Sequence, residues 1–115
     1  MKQHPRAARI ALLNDLFRRS LGLAAPVAGR TVVTATVAAL DSDTQAAVFR
    51  AVATFTAFTA DNDPWGEHDC ATFEVRGERF IWKIDYYADE NLTFGAEDAS
   101  TACYRVLTIM RASDY

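Results

Sequence analysis

The stretch Cys70-Ala71-Thr72-Phe73-Glu74-Val75-Arg76-Gly77-Glu78-Arg79-Phe80-Ile81-Trp82-Lys83-Ile84-Asp85-Tyr86-Tyr87 decides the fold. Side chains on a strand alternate between two faces, and two alternating runs joined by Arg76-Gly77 read as a β-hairpin. With those two residues as the loop, Val75 faces Glu78, Phe73 faces Phe80, Cys70 faces Lys83 and, further out, His68 faces Asp85. This register puts Ala71, Phe73, Val75, Phe80, Trp82, Ile84 and Tyr86 on one core-facing surface. The other surface pairs Glu74 with Arg79 and His68 with Asp85, and opposite charges across a ladder contribute about 0.2–1 kcal/mol each. Gly77 suits a tight turn. Arg76 is less comfortable at a position of positive φ, and a bulge beside Gly77 is the alternative.

Working outward, residues 5–21 read as a helix. Pro5 fits its first turn, Ile10, Leu13, Phe17 and Leu21 make an apolar stripe, and Gly22 supplies a stop. Arg9, Asp15, Arg18 and Arg19 read as lying largely off that stripe. Residues 24–29 read as a loop and residues 30–37 as a β-branched strand. Asp41, Ser42 and Asp43 then start a second helix over residues 44–55, with Val48, Val52 and Phe55 inward. Residues 54–59 extend as a short strand or connector. Residues 101–111 contain Val106-Leu107-Thr108-Ile109-Met110 and read as a further strand, with a helix as the competing assignment. The order α-β-α-β-β-β predicts an α+β fold: a mostly antiparallel sheet of three to four strands with two helices packed on one face.

At 115 residues the chain is expected to form a single domain over residues 1–115, burying roughly two-thirds of its unfolded surface without metals or disulfides. Cys70 and Cys103 read as thiols. No apolar run reaches membrane-spanning length. The basic N-terminus continues into a segment broken by Arg9, Asn14 and Asp15, which is no secretory leader, so a cytoplasmic location is expected.

The richest polar feature precedes the hairpin. Asp61-Asn62-Asp63-Pro64-Trp65-Gly66-Glu67-His68-Asp69-Cys70 gathers four carboxylates, a histidine and a thiol around a Pro/Gly turn. Asp61, Asp63, Trp65, Glu67, His68, Asp69 and Lys83 are the candidate binding residues. An exposed Trp65 ringed by charge would be the natural anchor. The structural alternative is a self-capped turn in which Asp61, Asn62 and Asp63 bond the backbone. His68, Asp85 and Cys70 are the candidate catalytic residues. In the register above, Asp85 orients the His68 imidazole, and Lys83 opposite Cys70 favours its thiolate. No oxyanion-forming glycine turn flanks Cys70. The acids match neither a calcium loop nor zinc spacing, so no metal ligands are assigned, although a divalent ion has enough donors to be considered. No phosphate-cradling glycine loop exists, and no cofactor is expected.

Charge is unevenly spread. Residues 1–30 carry +5 and residues 61–99 carry −8, within a net charge of −3. The acidic part suits a basic protein surface and repels nucleic acid. Arg6, Arg9, Arg18 and Arg19 offer a nucleic-acid footprint, but an ordinary amphipathic helix accounts for them equally.

The run 61–70, with Phe80-Ile81-Trp82-Lys83-Ile84-Asp85-Tyr86-Tyr87 and the terminal Arg105-Val106-Leu107-Thr108-Ile109-Met110-Arg111-Ala112-Ser113-Asp114-Tyr115, resembles the family called domain of unknown function 3768. Its members are small proteins found in proteobacteria, often on plasmids and other mobile elements. The resemblance brings no reaction with it. It implies the setting of a mobile-element accessory protein, where antagonists of host defence such as restriction or CRISPR act by stoichiometric binding. The expected function is therefore protein binding through the acidic loop and hairpin face. A small hydrolase or metal-dependent enzyme built on His68, Asp85 and Cys70 is the alternative.

Overall fold

A computed structural model describes residues 5–23 and 27–115. The basic start at residues 1–4 and part of the loop assigned to residues 24–29 lie outside them. The hairpin is formed by β2 (Cys70–Val75) and β3 (Glu78–Tyr87), with Val75 opposite Glu78, Phe73 opposite Phe80 and Cys70 opposite Lys83. Arg76 and Gly77 have φ of 52° and 79°. That left-handed pair is what a two-residue type I′ turn demands, so no bulge intervenes. Arg76 adopts it while its Nη1 donates to Thr44 Oγ1 at 2.7 Å.

β4 (Tyr104–Arg111) runs antiparallel beside β3, and β1 (Gly29–Val33) adds to the far side of β4 in parallel. The sheet order is β1-β4-β3-β2, a mixed sheet in which antiparallel pairs predominate. The strand expected over residues 30–37 is shorter. It ends with Val33 opposite Ile109, after which the chain enters a short helix, α2 (Ala35–Ala38). The cause is distant in sequence: the Thr34 and Thr36 hydroxyls donate to the Asp114 carboxylate at 2.8 and 2.5 Å, which draws the chain off the sheet.

Two longer helices cover one face. α1 (Pro5–Arg19) closes with Gly22 N–H donating to Phe17 O and Leu21 N–H to Arg18 O, both at 3.0 Å. This is a Schellman ending, with Leu21 at φ 53° as its first left-handed residue and Gly22 following at φ 79°. α3 (Ser42–Thr54) is capped by Asp41, whose carboxylate accepts the Thr44 N–H at 3.1 Å. Leu13 and Phe17 from α1 and Val48 and Val52 from α3 join Phe80, Trp82, Ile84, Leu107 and Ile109 in one core. Arg18 departs from expectation: it is 1% exposed, because it follows Asn14 by one helical turn on the inner side of α1. Among the described residues, no helix is long and apolar enough to cross a membrane.

Candidate functional site

Residues 55–69 run from the end of α3 to β2 and carry the acidic segment. Phe55 and Phe58 anchor the start of this connection edge-on against the buried Trp82, with ring centroids 5.9 and 6.1 Å away. Asn62 ties the next turn. Its Oδ1 accepts the Thr59 N–H at 2.7 Å and its Nδ2 donates to Ala57 O at 2.8 Å. The Asp63 carboxylate accepts the His68 N–H at 3.2 and 3.3 Å, closing the loop across Trp65 and Gly66. Asn62 and Asp63 therefore do the capping work that a self-supported turn requires.

His68 connects this loop to α1. Its ring stacks on Phe58 with centroids 3.8 Å apart. Its Nδ1 lies 3.0 Å from both carboxylate oxygens of Asp15, and its Nε2 lies 3.6 Å from Asp63 Oδ2. Asp15 also accepts from Arg18 Nη2 at 2.9 Å, while Arg18 Nη1 donates to Val52 O at 2.7 Å. The Arg18 guanidinium sits over the rings of Trp82 and Phe58, 4.8 and 5.5 Å from their centroids. Burial lowers the Arg18 pKa, and the adjacent Asp15 opposes that shift. A second strand of the network starts at Asn14, whose Nδ2 donates to Glu67 O at 3.0 Å and to the Tyr86 hydroxyl at 2.8 Å. Asn14 Oδ1 accepts from Arg105 Nε at 2.7 Å, and Arg105 goes on to donate to Thr101 O and Ala99 O. Burial keeps the Tyr86 hydroxyl protonated well beyond its ordinary range. Three elements well separated in sequence, α1, the acidic loop and β3, are thus joined through largely buried polar side chains. Such groups hold a loop in one geometry only when nearly all are satisfied, as here.

The expected juxtaposition of His68 with Asp85 is absent. Backbone pairing persists one step past β2, where Ile84 N–H donates to Asp69 O at 2.8 Å. His68 then takes a φ of 54°. The chain leaves the ladder there, and the imidazole turns to the helix-covered side toward Asp15 and Phe58. Asp85 stays on the open side and accepts from Lys83 Nζ at 2.7 Å. Cys70 is also on the open side, opposite Lys83. Its thiol pKa is pushed up by burial and then by Asp69 and Asp63, contrary to the activation expected from Lys83. The catalytic grouping of His68, Asp85 and Cys70 is therefore split between the two sides of the sheet.

The binding candidates are placed differently. Trp65 is 79% exposed at the loop tip, with Asp61 exposed nearby in sequence. Glu67 and Asp69 are half-buried, and burial raises the pKa of both, with Asp69 adding to the shift at Glu67. Asp63 is almost fully enclosed by its bonds to His68. Among the described residues, no group of three or more His, Cys, Asp or Glu side chains is arranged to hold a metal ion. The arginines of α1 are largely engaged. Arg6 pairs with Asp98 at 3.2 Å, Arg9 donates to Ser100 O at 3.0 Å and Arg18 is buried, while Arg19 is exposed. The residues missed by sequence reading are Asn14, Asp15, Phe58, Tyr86 and Arg105. For Asn14 and Arg105 the trace is a polar side chain on an otherwise apolar stretch, and Asp15 and Phe58 leave none.

An α+β domain with a four-stranded mixed sheet, helices on one side and a braced acidic loop at the edge defines the class. The model of the family Protein of unknown function (DUF3768) matches residues 33–114, and the chain belongs to that family. No curated protein and no solved structure matches the chain.

Proposed function

We propose that this protein is a non-enzymatic binding factor that presents Trp65, from the acidic loop 61–69, to a protein partner, with the open hairpin face carrying Lys83 alongside. The observation that carries this reading is a large aromatic side chain, 79% exposed, on a loop braced beneath by Asp63, His68, Asp15 and Asn14. A braced loop loses little conformational entropy on association, and tryptophan is the residue most enriched among binding hot spots. Asp61, Glu67 and Asp69 around it suit a basic surface and discourage nucleic acid. Both ring nitrogens of His68 face protein carboxylates, which fits a bracing role better than proton transfer.

The reading needs no cofactor. The mobile-element setting makes the partner a host protein in the cytoplasm, and a restriction or CRISPR component is the first class to test. Tagged wild-type protein and a Trp65→Ala/Glu67→Ala variant are compared for partner capture and for protection of incoming plasmid DNA. Loss of both in a variant with unchanged unfolding behaviour supports the proposal. Capture that ignores the double substitution removes it.

A further inference from the structure

His68 has a carboxylate at each ring nitrogen. Its Nδ1 lies 3.0 Å from Asp15 on α1, and its Nε2 lies 3.6 Å from Asp63 on the loop. Stacking on Phe58, with centroids 3.8 Å and planes 4° apart, fixes the ring between them. A neutral imidazole carries one N–H and one lone pair, so only the protonated ring presents a donor to both acids. The two acids are not equivalent. Asp15 also accepts from Arg18 at 2.9 Å, so it has a cation whatever the state of the ring. The Asp63 side chain is 6% exposed, and among the described residues its ion pair is with His68.

The surrounding charges deepen the difference. On the loop, burial raises the pKa of Glu67 and Asp69 and Asp63 adds to both shifts, while Arg6 offsets Glu67 in part. From β3, Asp85 adds to the shift at Asp69, and the Tyr86 hydroxyl stays protonated through burial. We infer that a proton on His68 clamps the acidic loop to α1, and that its loss as pH rises releases the loop while the ring stays on Asp15. The neutral ring keeps its N–H at Nδ1, the shorter contact, and turns the Nε2 lone pair toward the Asp63 carboxylate. That repulsion strains the bonds Asp63 makes across Trp65: its carboxylate accepts the His68 N–H and its carbonyl the Gly66 N–H. Trp65 is then presented in one geometry on the acid side and in several on the alkaline side. Partner affinity falls as pH rises, because a loosened loop loses more entropy on association. This regulation rests on the loop reading above.

In the full chain, His68 ring nitrogen-15 shifts and the exchange protection of the Gly66 and His68 amides are followed from about pH 5.5 to about pH 8, where histidine changes charge. The ring is expected to pass from the doubly protonated form to the Nδ1–H tautomer. Protection at both amides should fall about three- to fivefold in the same step, the size of a partly exposed ion pair. Asp63→Asn removes the counter-charge and keeps the ring, and His68→Gln removes the proton; each should flatten the protection profile. Glu67→Gln/Asp69→Asn should leave the profile in place, which sets those acids aside. A ring held in one state throughout, amides indifferent to its titration, or a profile retained in Asp63→Asn or His68→Gln overturns the inference. Partner capture that is equal at both ends of the range, yet lost in Trp65→Ala/Glu67→Ala, overturns the pH control and spares the loop reading.

Discussion

Asn14 is wholly buried, and all its side-chain bonds cross to distant parts of the chain: Glu67, Tyr86 and Arg105 lie 53, 72 and 91 residues away. Asn14→Ala removes these bonds together and leaves the Arg105 Nε donor buried without its acceptor. The expected cost is about 2–4 kcal/mol, read as a lower urea midpoint with an unchanged slope. A midpoint equal to that of the wild type would show that the network carries no load. Sequence hints at this cluster only through polarity out of place, since Asn14 and Arg18 share the inner side of a helix with Ile10 and Phe17. Their partners were not legible, because no local spacing links residue 14 to residue 105. Titration follows from the same scale. Hydrogen bonds from Thr44, Ser100 and Thr36 and from the Arg111 guanidinium hold Asp41, Asp98, Asp114 and Glu78 below the ordinary carboxylate range. A depressed folded pKa gives stability that is complete above the unfolded value, about 3.9–4.3, and lost as pH falls through the lower folded values. Burial raises Glu67 and Asp69, so their ionised forms cost stability above their folded pKa, and protonation relieves that cost. The thermal midpoint should therefore rise slightly as pH falls from neutrality and decline only below the ordinary carboxylate range. A steady decline from neutrality downward would contradict this assignment.

At the scale of elements, two glycines separate two kinds of constraint. Gly77 sits in the hairpin turn at φ 79°, and a Cβ there would meet nothing within 4 Å. Gly77→Ala therefore costs only the left-handed backbone penalty, about 1–2 kcal/mol. Gly29 opens β1, where a Cβ would fall 2.1 Å from Arg105 O and 2.4 Å from the Phe17 ring. Neither a paired strand nor a buried ring can yield that distance. Gly29→Ala should cost about 3 kcal/mol or more, clearly exceeding Gly77→Ala in parallel denaturation curves. The reverse order would mean that β1 does not pack as described. The same elements show what was legible. The hairpin register could be read because a period of two and a two-residue loop leave one alignment that buries Phe80 and Trp82 together. It failed at His68, one residue outside the ladder, where the Asp63 carboxylate and the Phe58 ring set the backbone and alternation no longer applies. The shortened β1 has the same kind of cause, since Thr31 to Thr34 read as strand until Asp114 bonds the hydroxyls of Thr34 and Thr36.

At the scale of the molecule, the charge polarity written along the chain is partly folded back on itself. Arg6 and Arg9 of the basic helix lie against Asp98 and Ser100, at the end of the acidic part, so a sequence count overstates the separation. In the loop around Trp65, Arg6 offsets Glu67 only in part, since burial and Asp69 still leave the Glu67 pKa raised, and the local field should be negative. The two tryptophans make that measurable, because Trp65 is 79% exposed and Trp82 is 0% exposed. Ionic quenchers should reach Trp65 alone. Referred to a free tryptophan amide, caesium should quench it more efficiently than iodide, with the difference shrinking as added salt screens the field over about 10 Å. Trp65→Phe should abolish the quenching while retaining the red shift on unfolding, which belongs to Trp82, and should leave stability within about 0.5 kcal/mol of the wild type. Preferential quenching by iodide would reverse the sign of the surface. The preference of the loop for a basic partner would then have no physical support.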